Sequence, residues 1–244
     1  MARAPRKTSL RRAGQEEVSG PGEYAGRLVT ILDPISAASE AYRTLRTNLL
    51  YQFANEPPKV IVLTSPGPKE GKSTVCANLG VAMAQAGKNC LIVDCDFYKP
   101  VIHKLFGVRN VTGIMDVVVG EYSLQEVWTE PMEGLKVVSV GHVPPVPADL
   151  LGTRRFSEFL VGVRQEFDHI LVDAPPVAMF SDPAILATQG DGVLLVLDAQ
   201  RTRKVAVRQA IRNLEAVGAN VLGTVVNNMK ISRSDYYQSG HTYG

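Results

Sequence analysis

A glycine, a lysine and two hydroxyl residues stand side by side at Gly71-Lys72-Ser73-Thr74, directly after the loop SPGPKE at 65–70. That order of residue types suits a polyphosphate. Gly71 lets the backbone approach an anion, and the amides at the start of a following helix point at phosphate oxygens. Lys72 brings a point charge to the β and γ oxygens, and the Ser73 hydroxyl can ligate Mg²⁺. An apolar run, Val60–Thr64, precedes the loop and an amphipathic stretch follows it, which is the strand–loop–helix context of a Walker A site. The strict pattern G-x-x-x-x-G-K-[ST] would put glycine at 66, but Pro66 is there and Gly67 comes one residue late. The residues expected to bind ATP and Mg²⁺ are Gly67, Lys69, Glu70, Gly71, Lys72, Ser73 and Thr74.

Carboxylates follow where a metal would need them. The run NCLIVDCDFYKP ends in Asp94 and Asp96, and HILVDAPP ends in Asp173. Residues i and i+2 of a strand share a face, so Asp94 and Asp96 are expected to point toward one nucleotide. Ligands of open parallel sheets bind at the carboxyl ends of strands, where all three aspartates fall. Any one of them could cap the next helix instead. Three together at strand ends, each costly to bury without a partner, point to a metal.

These side chains need a scaffold, and the rest of the chain supplies one. Six runs rich in Val, Ile and Leu (Val60–Thr64, Cys90–Asp94, Leu135–Val140, His169–Asp173, Gly192–Asp198 and Val221–Asn227) read as strands covered on both faces. Helical patterns fall between them at 71–86, 148–167 (broken near Gly152), 183–188 and 204–217, and another runs from Ser36 to about Phe53. Residues 98–134 suggest short helices and turns. The alternation predicts an α/β fold with a doubly wound, mostly parallel sheet flanked by helices. The expected organisation is a basic leader without structure at 1–27, one domain at 28–231, and a flexible tyrosine-containing tail at 232–244.

Composition narrows the function. Apolar residues at 45% and charged residues at 20% describe an ordinary globular core, and a net charge of +2 is too small to argue for nucleic acid as a partner. Arg3, Arg6, Lys7, Arg11 and Arg12 crowd the leader without an intervening acid. A solvated leader and a tether to anionic lipid or to an acidic partner both fit them. No apolar run approaches the roughly 18 residues of a membrane span. Cys76, Cys90 and Cys95 have no metal-ligand spacing and read as buried thiols of a reducing compartment.

Together SPGPKEGKST, LIVDCDFYKP and ILVDAPP resemble the bacterial tyrosine kinases of capsule and exopolysaccharide synthesis. These are built on a P-loop ATPase fold shared with the partition and division-site ATPases. Three further stretches fit that narrower family. Glu40-AYRTLRTNL carries E-x-x-R-x-x-R at Glu40, Arg43 and Arg46; Val143-PPVPADLL is similar to its proline-rich loop; and the end, DYYQSGHTYG, is similar to its tyrosine cluster. The resemblance covers about 30–230. It implies catalytic roles for Lys72, Asp94 and Asp96, with Asp94 as the base for the substrate tyrosine and Ser73, Asp96 and Asp173 at the metal. It further implies Asn227 at the adenine, Glu40, Arg43 and Arg46 in a ring-like homo-oligomer, and Tyr236, Tyr237 and Tyr243 as acceptors phosphorylated in trans. The implied partners are protein tyrosine substrates and a separate membrane activator of the polysaccharide-chain-length type, which would hold a cytoplasmic chain at the inner face of the membrane. The sequence departs from the family at Tyr98, where an arginine commonly follows the second aspartate by two positions. Two alternatives use the same nucleotide site: a partition-type ATPase switch and a scaffold that binds ATP without transfer. The first characteristically carries a second lysine near the start of the phosphate loop, which Lys69 matches poorly.

Overall fold

The computed structural model describes residues 24–53, 57–143 and 145–230. The basic leader as far as residue 23 and the tail with Tyr236, Tyr237 and Tyr243 lie outside the described residues.

A 3-10 turn at Ala25–Arg27, within the stretch expected to lack structure, leads into α1 (Val29–Leu32) and α2 (Ala37–Tyr51). Ser36 caps α2, its hydroxyl accepting from the Ser39 amide at 3.3 Å. The alternating units follow in order: β1 (Val60–Thr64), α3 (Lys72–Gln85), β2 (Cys90–Asp94), α4 (Ile102–Phe106), α5 (Ile114–Val119), α6 (Leu124–Val127), β3 (Thr129–Met132) and β4 (Leu135–Val138). The second half adds α7 (Pro147–Leu151), α8 (Arg154–Glu166), β5 (His169–Asp173), α9 (Asp182–Ala187), β6 (Gly192–Asp198), α10 (Lys204–Glu215) and β7 (Val221–Asn227).

The seven strands form one sheet in the order β3-β4-β2-β5-β1-β6-β7. All neighbouring pairs are parallel except β3 with β4. Every residue of β1, β2 and β5 is buried, as their unbroken apolar runs require, and separate hydrophobic clusters cover the two faces. α3 is almost wholly buried and lies against the sheet beside α2. Gly80 permits this approach, since a Cβ there would come within 2.6 Å of Ile92 Cδ1.

The antiparallel strand β3 is the element that the sequence pattern does not announce. Its residues are half or fully exposed and include Glu130 and Pro131, so no apolar alternation marks it. It sits at the sheet edge, where a proline removes no needed ladder bond. Cys76, Cys90 and Cys95 are buried and unpaired, as their surroundings predict.

Candidate functional site

The carboxyl ends of β1, β2 and β5 lie side by side, with Asp94 opposite Asp173 and Leu63 opposite Asp173 in register. The phosphate loop leaves β1 at this edge and closes over it. Gly71 caps α3 with φ +93°, a backbone that glycine tolerates, and a Cβ there would fall 2.0 Å from Asn227 Nδ2. Lys72 Nζ lies 2.5 Å from Asp96 Oδ2, 3.2 Å from Ser73 Oγ and 3.7 Å from Asp173 Oδ1. Burial works against this ammonium, but Asp173 and then Asp96 outweigh it and raise the Lys72 pKa above its ordinary value.

The three aspartates have different surroundings. Asp96 lines the cavity and also accepts from the Lys99 amide at 3.0 Å. Asp94 is fully buried and does not line it; its two oxygens accept from the amides of Asp96 at 3.1 Å and Ile102 at 3.3 Å. The expected shared face of Asp94 and Asp96 is therefore absent. The strand ends at Asp94, so the two-residue periodicity stops before Asp96. Burial, then the charge of Asp173, raises the Asp94 pKa well above the usual carboxylate range. Burial also pushes Asp173 up to about 6, against the pull of Lys72.

Both oxygens of the buried Asp173 lack a hydrogen-bond partner. An orphaned carboxylate beside a serine hydroxyl and Asp96 is a hard, oxygen-only donor set, and it fits Mg²⁺. No group of three or more His, Cys, Asp or Glu could hold a metal unaided among the described residues. Mg²⁺ is usually held by one or two carboxylates together with phosphate oxygens and water.

The loop residues divide into lining and bracing. Lys69, Gly71, Lys72, Ser73, Thr74 and Asn227 face a cavity of about 1180 Å³, whereas Gly67 and Glu70 do not. Glu70 is buried and works as a clamp: Oε1 accepts from the Gly67 amide at 2.9 Å and Oε2 from the Thr202 hydroxyl at 2.7 Å. Thr202 in turn accepts from the Asp198 amide at 2.8 Å, and Asp198 accepts from Asn228 Nδ2 at 2.8 Å. Asn227 Nδ2 donates to the Glu70 carbonyl at 3.1 Å. Lys69 holds φ +63°, an uncommon conformation for a residue with a Cβ, at the tip of the loop.

The sequence offered only part of this brace. Asp198 ends a recognised apolar run, but nothing local marks Thr202 or Asn228. Tyr98, in the family's arginine position, stacks on Phe180 with ring centroids 3.7 Å apart and donates to Asp182 Oδ2 at 3.2 Å. Of the E-x-x-R-x-x-R residues, Glu40 and Arg43 pair with each other at 2.7 Å on the surface of α2. Arg46 instead donates to the Ala82 carbonyl of α3 at 3.0 Å.

Comparison with known proteins agrees with this geometry. The ParA family model, described as an NUBPL iron-transfer P-loop NTPase, matches residues 58–242. The chain is 33% identical over 211 residues to the tyrosine-protein kinase YwqD of Bacillus subtilis, covering 86% of this chain and 89% of that protein. It is 34% identical over 239 residues to the putative tyrosine-protein kinase EpsB of Ralstonia solanacearum, covering 97% of this chain but 31% of that protein. The crystal structure of the chimerical protein CapA2B2 matches with a TM-score of 0.81 and 32% identity, over 84% of this chain and 91% of that one.

Proposed function

The chain belongs to the bacterial tyrosine kinases and carries their ParA-type P-loop NTPase domain, and from that premise we propose that it transfers the γ-phosphate of ATP to protein tyrosines in capsule or exopolysaccharide synthesis. The observation that carries this reading is the buried constellation of Lys72, at the start of α3, with Asp96 and Asp173, the latter 3.7 Å away and without a hydrogen-bond partner. Iron transfer, named in the description of the family model, finds little support in cysteines that are all buried.

In this reading Lys72 and the first amides of α3 hold the β and γ phosphates. Ser73, Asp96 and Asp173 would hold Mg²⁺, which supplies positive charge against the phosphate oxygens when bound. Lys72 exchanges Asp96 for phosphate, which releases that carboxylate. The tyrosine oxygen forms the new bond to γ-phosphorus as the bond to the β–γ bridging oxygen breaks, and ADP leaves. The phenol proton passes to a carboxylate, because a free tyrosine has a pKa of about 10. Asp94, at the end of β2 opposite Asp173, is assigned that proton. Its use as a base requires that the amides of Asp96 and Ile102, which occupy its two oxygens, move off it.

Tyr236, Tyr237 and Tyr243 are proposed as acceptors, reached in trans within a ring to which the surface of α2 contributes. No helix among the described residues is long and apolar enough to cross a membrane. EpsB is about three times the length of the matched segment. A separate membrane protein of the polysaccharide-chain-length type is proposed to supply activation and an address at the inner membrane face.

Mass spectrometry after incubation with Mg-ATP tests the reading, beside a Lys72→Met control. Phosphotyrosine in the natural protein and none in the control is expected. Equal labelling of the control, or ATP binding without any phosphotyrosine in the presence of the activator, would overturn it.

A further inference from the structure

The cavity holds more positive charge than a nucleotide neutralises. Among the described residues six cations line it (Arg27, Lys69, Lys72, Lys99, Lys104 and Arg201) against Asp96, with Asp173 3.7 Å behind Lys72 Nζ. ATP with its magnesium brings only about two net negative charges. His103 is left out of this comparison, because burial and then Lys104 lower its pKa.

The excess is not spread evenly. Lys69 and Lys72 belong to the phosphate loop, but Lys99 follows β2 and Lys104 sits on α4, on a different wall. Both are exposed, and neither makes an ion pair among the described residues. Lys104 Nζ instead lies 5.7 Å from the centroid of the Tyr24 ring. Beside them Tyr98 is braced by Phe180 and Asp182 and also lines the cavity. An aromatic wall with two ammonium groups that make no ion pair among the described residues, three and eight residues after Asp96, is the chemical complement of an aromatic residue in an acidic segment.

We propose that Lys99 and Lys104 determine acceptor specificity: the tyrosine phosphorylated here lies among aspartates or glutamates, which meet these two lysines while its ring passes along Tyr98. This rests on the kinase reading and deepens it by naming the substrate class. The tail itself carries one acid, Asp235, immediately before Tyr236, offset by Arg233. Acceptors with more acid around the tyrosine are therefore expected to be better substrates than the tail.

Two synthetic peptides that differ only in glutamates or lysines around one tyrosine test the idea with the full chain and Mg-ATP. The natural protein is expected to prefer the glutamate peptide at least about tenfold in kcat/KM, with the preference fading as salt rises to several hundred millimolar. The double variant Lys99→Glu, Lys104→Glu should reverse the preference, a result that a merely structural role for the lysines would not produce. Equal kcat/KM for the two peptides, or a preference that survives the charge reversal, overturns the proposal. Peptide binding to protein loaded with a non-hydrolysable ATP analogue separates the two readings. Selective binding of the glutamate peptide without phosphate transfer would sustain the acidic-acceptor assignment and fail the kinase. Transfer to both peptides alike would do the reverse.

Discussion

Asp173, proposed to hold Mg²⁺, opposes stability in the nucleotide-free chain. Its carboxylate is fully buried with no hydrogen-bond partner, and burial pushes its pKa from 3.8 up to about 6. A raised folded-state pKa means that folding favours the protonated form. The associated stability is fully present below about pH 4 and lost as pH rises through about 6. Asp173→Asn fixes the neutral form, so the nucleotide-free variant should melt higher than the natural protein at pH 8 and gain little at pH 4. The shift of about two pKa units sets an upper bound of about 3 kcal/mol on that gain. Phosphate transfer should be lost in the same variant. A lower melting temperature for it at pH 8 would mean that the attraction of Lys72 outweighs the burial. Asp94 gives a second prediction at this scale. Asp94→Asn should reduce kcat by a factor of about 10² or more, with the KM for ATP little changed, if Asp94 takes the phenol proton. A loss confined to the KM for ATP would move the base to Asp96, which already lines the cavity.

The phosphate loop is held as an element by residues far from it in sequence. Thr202 reaches Glu70 across 132 residues and joins the end of β6 to the loop. Thr202→Val keeps the shape and removes both the donor to Glu70 and the acceptor for the Asp198 amide. It should cost about 1–2 kcal/mol of stability and raise the KM for ATP several-fold, with less effect on kcat. Thermal melts and initial rates check the two effects, and an unchanged KM would show that the loop holds its shape without this clamp. The same contrast explains what was legible in the sequence. β1, β2, β5 and β6 were readable because burial on both faces demands unbroken apolar runs; β7 was readable from its Val and Leu content although it is a half-exposed edge strand, and α2 from its helical spacing. β3 was not, since an exposed edge strand with Pro131 needs no apolar pattern. Lys72 and Ser73 were readable as a local motif. The bracing role of Glu70, the partnership of Thr202, and the divergence of Asp94 from Asp96 arise from where elements end and meet, which local spacing does not encode.

At the scale of the whole molecule, α2 has two loyalties, and they can be separated. Glu40 and Arg43 form an exposed pair one turn apart, worth only about 0.2–0.5 kcal/mol to the isolated helix. Arg46 faces inward and ties α2 to the Ala82 carbonyl on α3. In a ring held through this surface, Arg43→Glu should dissociate the assembly in light scattering while the melting temperature of the subunit stays within about 2 °C. Arg46→Ala should lower the subunit's own stability by about 1 kcal/mol, because it removes a hydrogen bond from a charged donor. An Arg43→Glu protein that remains assembled would place the ring contact elsewhere. Phosphorylation in trans then has a direct consequence for mixed assemblies. A Lys72→Met chain with its tail intact supplies acceptors but no transfer, and a chain lacking 232–244 supplies transfer but no acceptors. Alone, neither should become labelled at Tyr236, Tyr237 or Tyr243. Mixed with Mg-ATP, the two should restore label on the Lys72→Met chain, and Arg43→Glu in both should abolish it, since a tail can reach a neighbouring site only while the subunits are held together. Label that persists after dissociation would mean that encounters in solution suffice and that the ring concentrates the reaction without being required for it.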